Sequence, residues 1–149
     1  MTQGEPAELD AIITALYECI SGPAGEPRDW DRFRTLFKPE AHLIRTGQSP
    51  EGEVLYEPHS METFIRSADP YFLKHGFFES EIARRTDSFG NIAQVFSTYE
   101  AHSRPDDSQP LGRGINSIQL THDGQRWWVV NMIWDDEREG NPIPGPYLP

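Results

Sequence analysis

The stretch RGINSIQLTHDGQRWWVVNMIWD, residues 113–135, says most about the architecture. Two runs rich in β-branched and aromatic residues flank Asp123-Gly124, and an Asp-Gly pair between such runs is a strong signal for a type I′ hairpin turn. The stretch therefore predicts two strands, over residues 113–121 and 126–135. A second hairpin is predicted upstream, with strands over residues 77–86 and 92–102.

The first half of the chain predicts helices. Apolar residues three and four positions apart indicate a helix over residues 8–20. Asp29 is a suitable N-cap for a second helix that runs to residue 37, and Ser60 starts a third. Residues 41–45 predict a short strand. Helices that precede a run of strands indicate an α+β fold, with N-terminal helices packed on a curved antiparallel sheet.

Length and charge narrow the class of protein. The 149 residues fit one domain over 1–149, with a folded core over about 7–137 and an irregular Pro-rich tail over 138–149. The net charge of −11 argues against a nucleic-acid partner. No apolar run is long enough for a membrane span and no signal region begins the chain, so we expect a cytoplasmic protein without membrane contact.

The hairpin turns predict which side chains face the helices. A two-residue turn at Asp123-Gly124 pairs Leu120 with Trp127 and Asn116 with Asn131. A turn at Phe89-Gly90 places Glu79, Glu81 and Glu100 on the outer face, and a slip of one residue would exchange the two faces. The predicted inward-facing, ligand-binding residues are Asn116, Asn131, Tyr99, Ser97, Ser80 and Trp127.

The other face of the last hairpin is too apolar for water. By the predicted register this outer face carries Trp128, Val130, Met132 and Trp134. A second copy of the chain is the simplest partner, so we expect a homodimer through this face. Another protein is the alternative partner.

The order of these elements resembles the nuclear transport factor 2-like superfamily, which includes SnoaL-like cyclases, ketosteroid isomerases and scytalone dehydratase. The resemblance spans almost the whole chain, and DGQRWWVV (123–130) looks like a hairpin common in these proteins. RGINSIQL (113–120) and IWDDE (133–137) look like an uncharacterised subgroup. The resemblance implies a cone with an internal pocket and dimerisation through the outer sheet face. It does not imply an activity, because this fold hosts many.

The predicted pocket is polar but holds few groups that titrate near neutral pH. In enzymes of this superfamily an Asp or His inside the cone moves protons, and the candidates here are His42, Asp31 and Asp135. The scattered histidines and the lack of a Gly-rich phosphate loop predict neither a metal nor a cofactor.

Three functions stay open at this point. The leading hypothesis is a protein that binds a small, partly apolar molecule. The alternative is a SnoaL-like or ketosteroid-isomerase-like enzyme, an isomerase, dehydratase or cyclase, or a SnoaL-like hydrolase. The third is a module that binds another protein.

Overall fold

Three helices pack on one face of a six-stranded sheet in the computed structural model, which describes residues 6–149. The helices and strands follow one another as α1 (Pro6–Ile20), α2 (Trp30–Thr35), β1 (Phe37–Gln48), β2 (Val54–His59), α3 (Met61–Lys74), β3 (Phe78–Phe89), β4 (Ile92–His102), β5 (Gly112–His122) and β6 (Trp127–Asp136). A 3-10 turn, Gly145–Tyr147, lies near the end of the chain. Within residues 6–149, no helix has the length and apolar character that crossing a membrane requires.

The strands lie in the order β2-β1-β6-β5-β4-β3. Every neighbouring pair is antiparallel except β1 and β6, which run parallel. The sheet is curved and does not close, and the helices cover its concave, inner face. This arrangement confirms the predicted α+β cone.

The predicted helix starts are confirmed by their caps. Asp29 accepts a hydrogen bond from the Arg32 amide at 3.0 Å, and Ser60 accepts one from the Thr63 amide at 3.2 Å. The predicted end of the second helix was wrong, because α2 stops at Thr35. Phe37 instead starts β1, where it pairs with Val129 of β6.

The hydrophobic core lies between the first two helices and the inner face of the sheet. Its fully buried side chains include Ile13, Phe33, Leu43, Val95 and Val129. The buried Arg28 ties the end of α1 to the following loop, since its guanidinium donates to the carbonyls of Ile20 and Gly22 at 2.9 and 2.8 Å.

The predicted register of the last hairpin was wrong in two ways. First, its loop has four residues, 123–126, so Leu120 lies opposite Val129. The Asp123 carboxylate accepts hydrogen bonds from the amides of Gln125 and Arg126, at 2.8 and 2.9 Å, and this Asx-type turn explains the longer loop.

The second difference is a β-bulge at Val130. The pairing moves from Leu120–Val129 to Gln119–Asn131, so Val130 has no partner and the alternation of β6 reverses beyond it. As a result Asn116 lies opposite Trp134, and Asn131 is on the outer face.

The hairpin of β3 and β4 contains a similar bulge at Ile82. Its turn is Gly90-Asn91, with Gly90 at a φ of 56°. Beyond Ile82, Glu81 pairs with Tyr99, so Glu79 and Glu81 lie on the inner face and Ser80 on the outer one. The predicted faces of these three residues were therefore wrong.

The four side chains predicted to form one outer face do not share a face. Trp128 and Val130 precede the reversal, whereas Met132 belongs to the buried core and Trp134 packs against it. Residues 138–149 cross the outer face instead. There Thr98 donates a 2.7 Å hydrogen bond to the Tyr147 carbonyl, and Phe96 packs on the Tyr147 ring.

Candidate functional site

A cavity of about 240 Å³ lies between α3 and the inner face of the sheet. We call it the cone cavity, and most of its wall is apolar. Its lining consists of Ile20, Phe64, Ala68, Tyr71, Phe72, Phe77, Glu79, Tyr99, Asn116, Met132 and Trp134. A larger space of about 660 Å³, the mouth, shares Tyr71, Phe77, Glu79, Tyr99 and Trp134 with it and adds charged residues of β1, β5 and β6.

Glu79 is the carboxylic acid in the wall of the cone cavity. Its backbone is fixed by Ser21 at the end of α1, whose hydroxyl accepts a 3.0 Å hydrogen bond from the Glu79 amide. Burial raises the pKa of the Glu79 carboxyl to about 8. The Asn116 amide, which hydrogen-bonds to this carboxyl, opposes that rise, and the nearby negative charge of Asp136 adds to it. The carboxyl is therefore mostly protonated at pH 7.

A chain of polar side chains runs from Asn116 toward the edge of the sheet. The Asn116 amide donates to the Tyr17 hydroxyl at 3.1 Å, and the hydroxyls of Tyr17 and Ser97 are 2.6 Å apart. Ser97 donates to Glu81, so its oxygen is left to accept from Tyr17. Arg84 closes the chain with an ion pair to Glu81 at 2.8 Å.

Tyr99 and Asp136 form a second polar pair on the inner face. The Tyr99 hydroxyl donates to Asp136 at 2.6 Å. Burial and the negative charge of Asp136 both raise the pKa of Tyr99 above its ordinary value. Gly114 lies directly opposite Tyr99 on β5 and leaves room for its ring.

The structure brings together three of the six residues predicted to bind a ligand. Asn116 and Tyr99 line the cone cavity, and Ser97 lies beside them in the polar chain. Asn131 is on the outer face and Ser80 is exposed. Trp127 is buried in the core against His122, with ring centroids 5.1 Å apart, and does not line the cone cavity.

The three predicted candidate bases all lie outside the cone cavity. His42 is exposed on the outer face, where it pairs with Asn131 in the sheet. Asp31 is exposed on α2, in an ion pair with Arg34. Asp135 is on the outer face beside Arg138, 2.7 Å away. Partial burial acts to raise the pKa of Asp135, but the hydrogen bonds from Arg138 and from the Asp136 amide outweigh it and lower the pKa. None of the three therefore lines the cone cavity.

Sequence reasoning missed the two inward-facing acids that line the cone cavity or its mouth, Glu79 and Asp136. Both depend on the bulges at Ile82 and Val130, and neither position has the glycine that marks some bulges. Tyr17 falls within the apolar spacing that predicts the helix over residues 8–20, and that spacing indicates only a core position. Its hydroxyl, which needs a partner when buried, is the one signal that could have located the polar chain.

Known proteins resemble this chain in structure. A protein of unknown function with a cystatin-like fold from Nostoc punctiforme superposes with a TM-score of 0.67 at 11% identity, covering 92% of this chain and 94% of its own. An NTF2-like protein of unknown function from Silicibacter pomeroyi gives 0.61 at 16% identity, with 88% and 94% covered. A candidate dehydratase of the NTF2-like family from Streptomyces avermitilis gives 0.59 at 12% identity, with 89% and 95% covered.

The same likeness is not visible at the level of sequence. No family model matches the chain, and no curated protein matches it. The structural agreement covers nearly the full length of each neighbour, and it agrees with the order of helices and strands described above. The chain has the nuclear transport factor 2-like fold.

Proposed function

We propose that the protein binds a small, partly apolar molecule in the cone cavity. The observation that carries this proposal is a cavity with an aromatic wall and one polar end, where Glu79, Asn116 and Tyr99 meet. Ligand sites are typically concave and apolar, with a few polar groups that set the orientation of the ligand. The cavity and its mouth together have the volume of such sites, about 300–1,000 Å³.

The polar end offers defined hydrogen bonds to a ligand. The protonated Glu79 carboxyl can donate one and accept another. The Tyr99 hydroxyl donates its proton to the hydrogen bond with Asp136, so toward a ligand its oxygen can only accept a hydrogen bond. A ligand with one polar group at the end of an apolar body would match this arrangement.

Filling the cavity tests the proposal. Ala68 of α3 lines the cone cavity, whereas its neighbour Ser67 is exposed. We expect aromatic fragments with one polar group to bind the wild type and Ser67→Leu in ligand-observed NMR, and Ala68→Leu to weaken them at least tenfold. Equal binding to all three proteins, or no fragment that binds, would refute the proposal.

A second candidate function is proton transfer on the bound molecule, with Glu79 as general acid or base. A pKa of about 8 is close to that of an efficient acid–base catalyst near neutral pH. The fold neighbour from Streptomyces avermitilis is named as a candidate dehydratase, and dehydration needs such a group. Here the acid would be Glu79 rather than His42, Asp31 or Asp135.

The protonation state of Glu79 tests this second function. Carbon-13 NMR of glutamate carboxyls should show one resonance that titrates near pH 8 and is absent from Glu79→Gln. If the resonance lost in that variant titrates near pH 4.5, Glu79 is an ordinary carboxylate, and the proposal that it transfers protons is refuted.

A further inference from the structure

We propose that the ligand of the cone cavity is a cation, an apolar amine whose ammonium group lies against Glu79. This inference rests on the proposed function, because it names the chemical class of the molecule bound there. It comes from the charges on the inner face and from the aromatic wall around them.

The first step is that the two acids at the polar end have no cationic side chain as an ion-pair partner in residues 6–149. Glu79 and Asp136 both lie on the inner face, and neither carboxyl belongs to an ion pair within the described part of the chain, residues 6–149. The negative charge of Asp136 acts on Glu79, and no cation contributes to the pKa of Glu79. An ammonium group is the ligand group that would compensate these acids.

The second step concerns the arginines at the mouth. Arg113 pairs with Glu137 at 3.0 Å and Arg138 with Asp135 at 2.7 Å. Arg45 lies 3.5 Å from Glu57. Each of these guanidinium groups already has a carboxylate partner. They are therefore poorly placed to offset the repulsion that an anionic ligand would meet from Glu79 and Asp136.

The third step is the wall of the cavity. Tyr71, Phe64 and Trp134 line the same space as Glu79, and Phe72, whose ring already has the Arg28 guanidinium 4.9 Å from its centroid, adds to the apolar wall. Aromatic faces attract ammonium groups, and the attraction is stronger where water is excluded. The same rings hold the apolar body of an amine, so both parts of the ligand have a matching surface.

Binding of a cation is coupled to loss of a proton. The carboxyl of Glu79 is mostly protonated in the empty cavity at pH 7, and an ammonium group beside it favours the carboxylate. One proton therefore leaves the Glu79 carboxyl for the solvent as the amine binds. Affinity for an amine should rise from pH 6 to pH 8, whereas a neutral ligand that accepts a hydrogen bond from protonated Glu79 should bind more weakly as the pH rises.

Several other titratable groups surround Glu79. They are Tyr17 and Glu18 from α1, Tyr71 from α3, Glu81 and Arg84 from β3, Tyr99 and His102 from β4, and Asp136 from β6. The guanidinium of Arg84 is already paired with Glu81 and Asp10. His102 is the one imidazole among these groups, and it pairs with Glu100 at 3.2 Å. The variant His102→Gln therefore serves as the control for a pH effect that does not come from Glu79.

Three matched probes test the class of ligand. Isothermal titration of 2-phenylethylamine, 2-phenylethanol and phenylacetate between pH 6 and pH 8 compares a cation, a neutral molecule and an anion of similar shape. We expect the amine to bind at least tenfold more tightly than the alcohol at pH 8. At pH 7 the heat should depend on the buffer, as release of a proton requires, and Glu79→Gln should lose the preference for the amine while Glu51→Gln and His102→Gln keep it.

The outcomes separate this inference from the proposed function. If the alcohol or the acid binds as tightly as the amine, or if the amine binds more weakly as the pH rises, the ligand is not a cation, but a cavity that binds small molecules remains. If none of the three probes binds at millimolar concentration, both the inference and the proposed function fail. The pH trend is measured on the wild-type protein, so it decides the question even if Glu79→Gln does not fold.

Discussion

Tyr99 reaches Asp136 across Gly114: its hydroxyl donates a 2.6 Å hydrogen bond from β4 to β6, over the strand that lies between them. A Cβ on Gly114 would lie 2.6 Å from the Tyr99 ring carbon that bears the hydroxyl, and 2.5 Å from the Asp135 carbonyl oxygen. Both distances are shorter than van der Waals contact allows. The glycine is therefore required for this pair to form.

We expect Gly114→Ala to destabilise the protein by about 1–3 kcal/mol, as overpacking of a filled core does. Urea unfolding measures the change. Gly112 is two residues away on the same strand, and a Cβ there meets nothing within 4 Å, so Gly112→Ala is the matched control. Equal stability of the two variants would show that the Tyr99 ring moves away from the added methyl group without a loss of stability, and would contradict this prediction.

The two buried phenols should titrate late. Burial raises the pKa of both Tyr17 and Tyr99, and the negative charge of Asp136 adds to the rise at Tyr99. Because the folded pKa exceeds the unfolded value of about 10, both hydroxyls should stay protonated until alkali unfolds the chain. In absorbance at 295 nm, part of the ionisation should coincide with unfolding. That part should shrink in Tyr99→Phe, and an unchanged curve would contradict the assignment.

Glu79 should make stability depend on pH. Its pKa in the folded state, about 8, lies above the unfolded value of about 4.5, so the folded protein binds one more proton between these two values. The free energy of unfolding therefore falls as the pH rises from 5 to 8, by about 3.5 kcal/mol at most.

Glu79→Gln should remove this dependence. The variant should be more stable than the wild type at pH 8, and the two should be closer at pH 5. Urea unfolding at a series of pH values measures the difference. Glu51→Gln, on an exposed loop, should follow the wild type. If Glu79→Gln keeps the full slope, another group is responsible for it.

Homodimerisation through the outer face stays a prediction, but different residues would carry it. Phe89 and Ile92 are 82% and 59% exposed, and they pair with each other beside the turn of the β3–β4 hairpin. We expect light scattering to show a dimer that Ile92→Glu converts to a monomer. Val54, on β2 at the other edge of the sheet, is 83% exposed, so Val54→Glu is the control. A monomeric wild type would refute the prediction.

Local signals were sufficient to predict most of the fold. The caps Asp29 and Ser60 and the spacing of apolar residues in α1 act within a few residues of themselves, and each is where the sequence predicted it. The Asp123-Gly124 pair located the last hairpin but not the length of its loop. The end of α2 could not be predicted in this way. Phe37 leaves the helix because it pairs with Val129, which is more than 90 residues away in the chain.

The site was predicted only in part, because it depends on register. Asn116, Ser97 and Tyr99 lie on β4 and β5, whose alternation is regular from end to end, and they face inward as expected. Glu79 and Asn131 lie beyond the bulges at Ile82 and Val130, which reverse the alternation. A bulge depends on the packing and twist of a whole hairpin, and isoleucine or valine at a position does not predict one.

The bulge at Ile82 also bears on how proteins of this fold diverge. An insertion or deletion of one residue in β3 would exchange Glu79 and Glu81 for Phe78 and Ser80 on the inner face, without a substitution at any of the four positions. A single such event could therefore turn an acidic cavity into an uncharged one. In two homologues that are aligned without a gap in this strand, different alignment positions could then face the cavity. A comparison of their ligands therefore has to begin with the number of residues in β3.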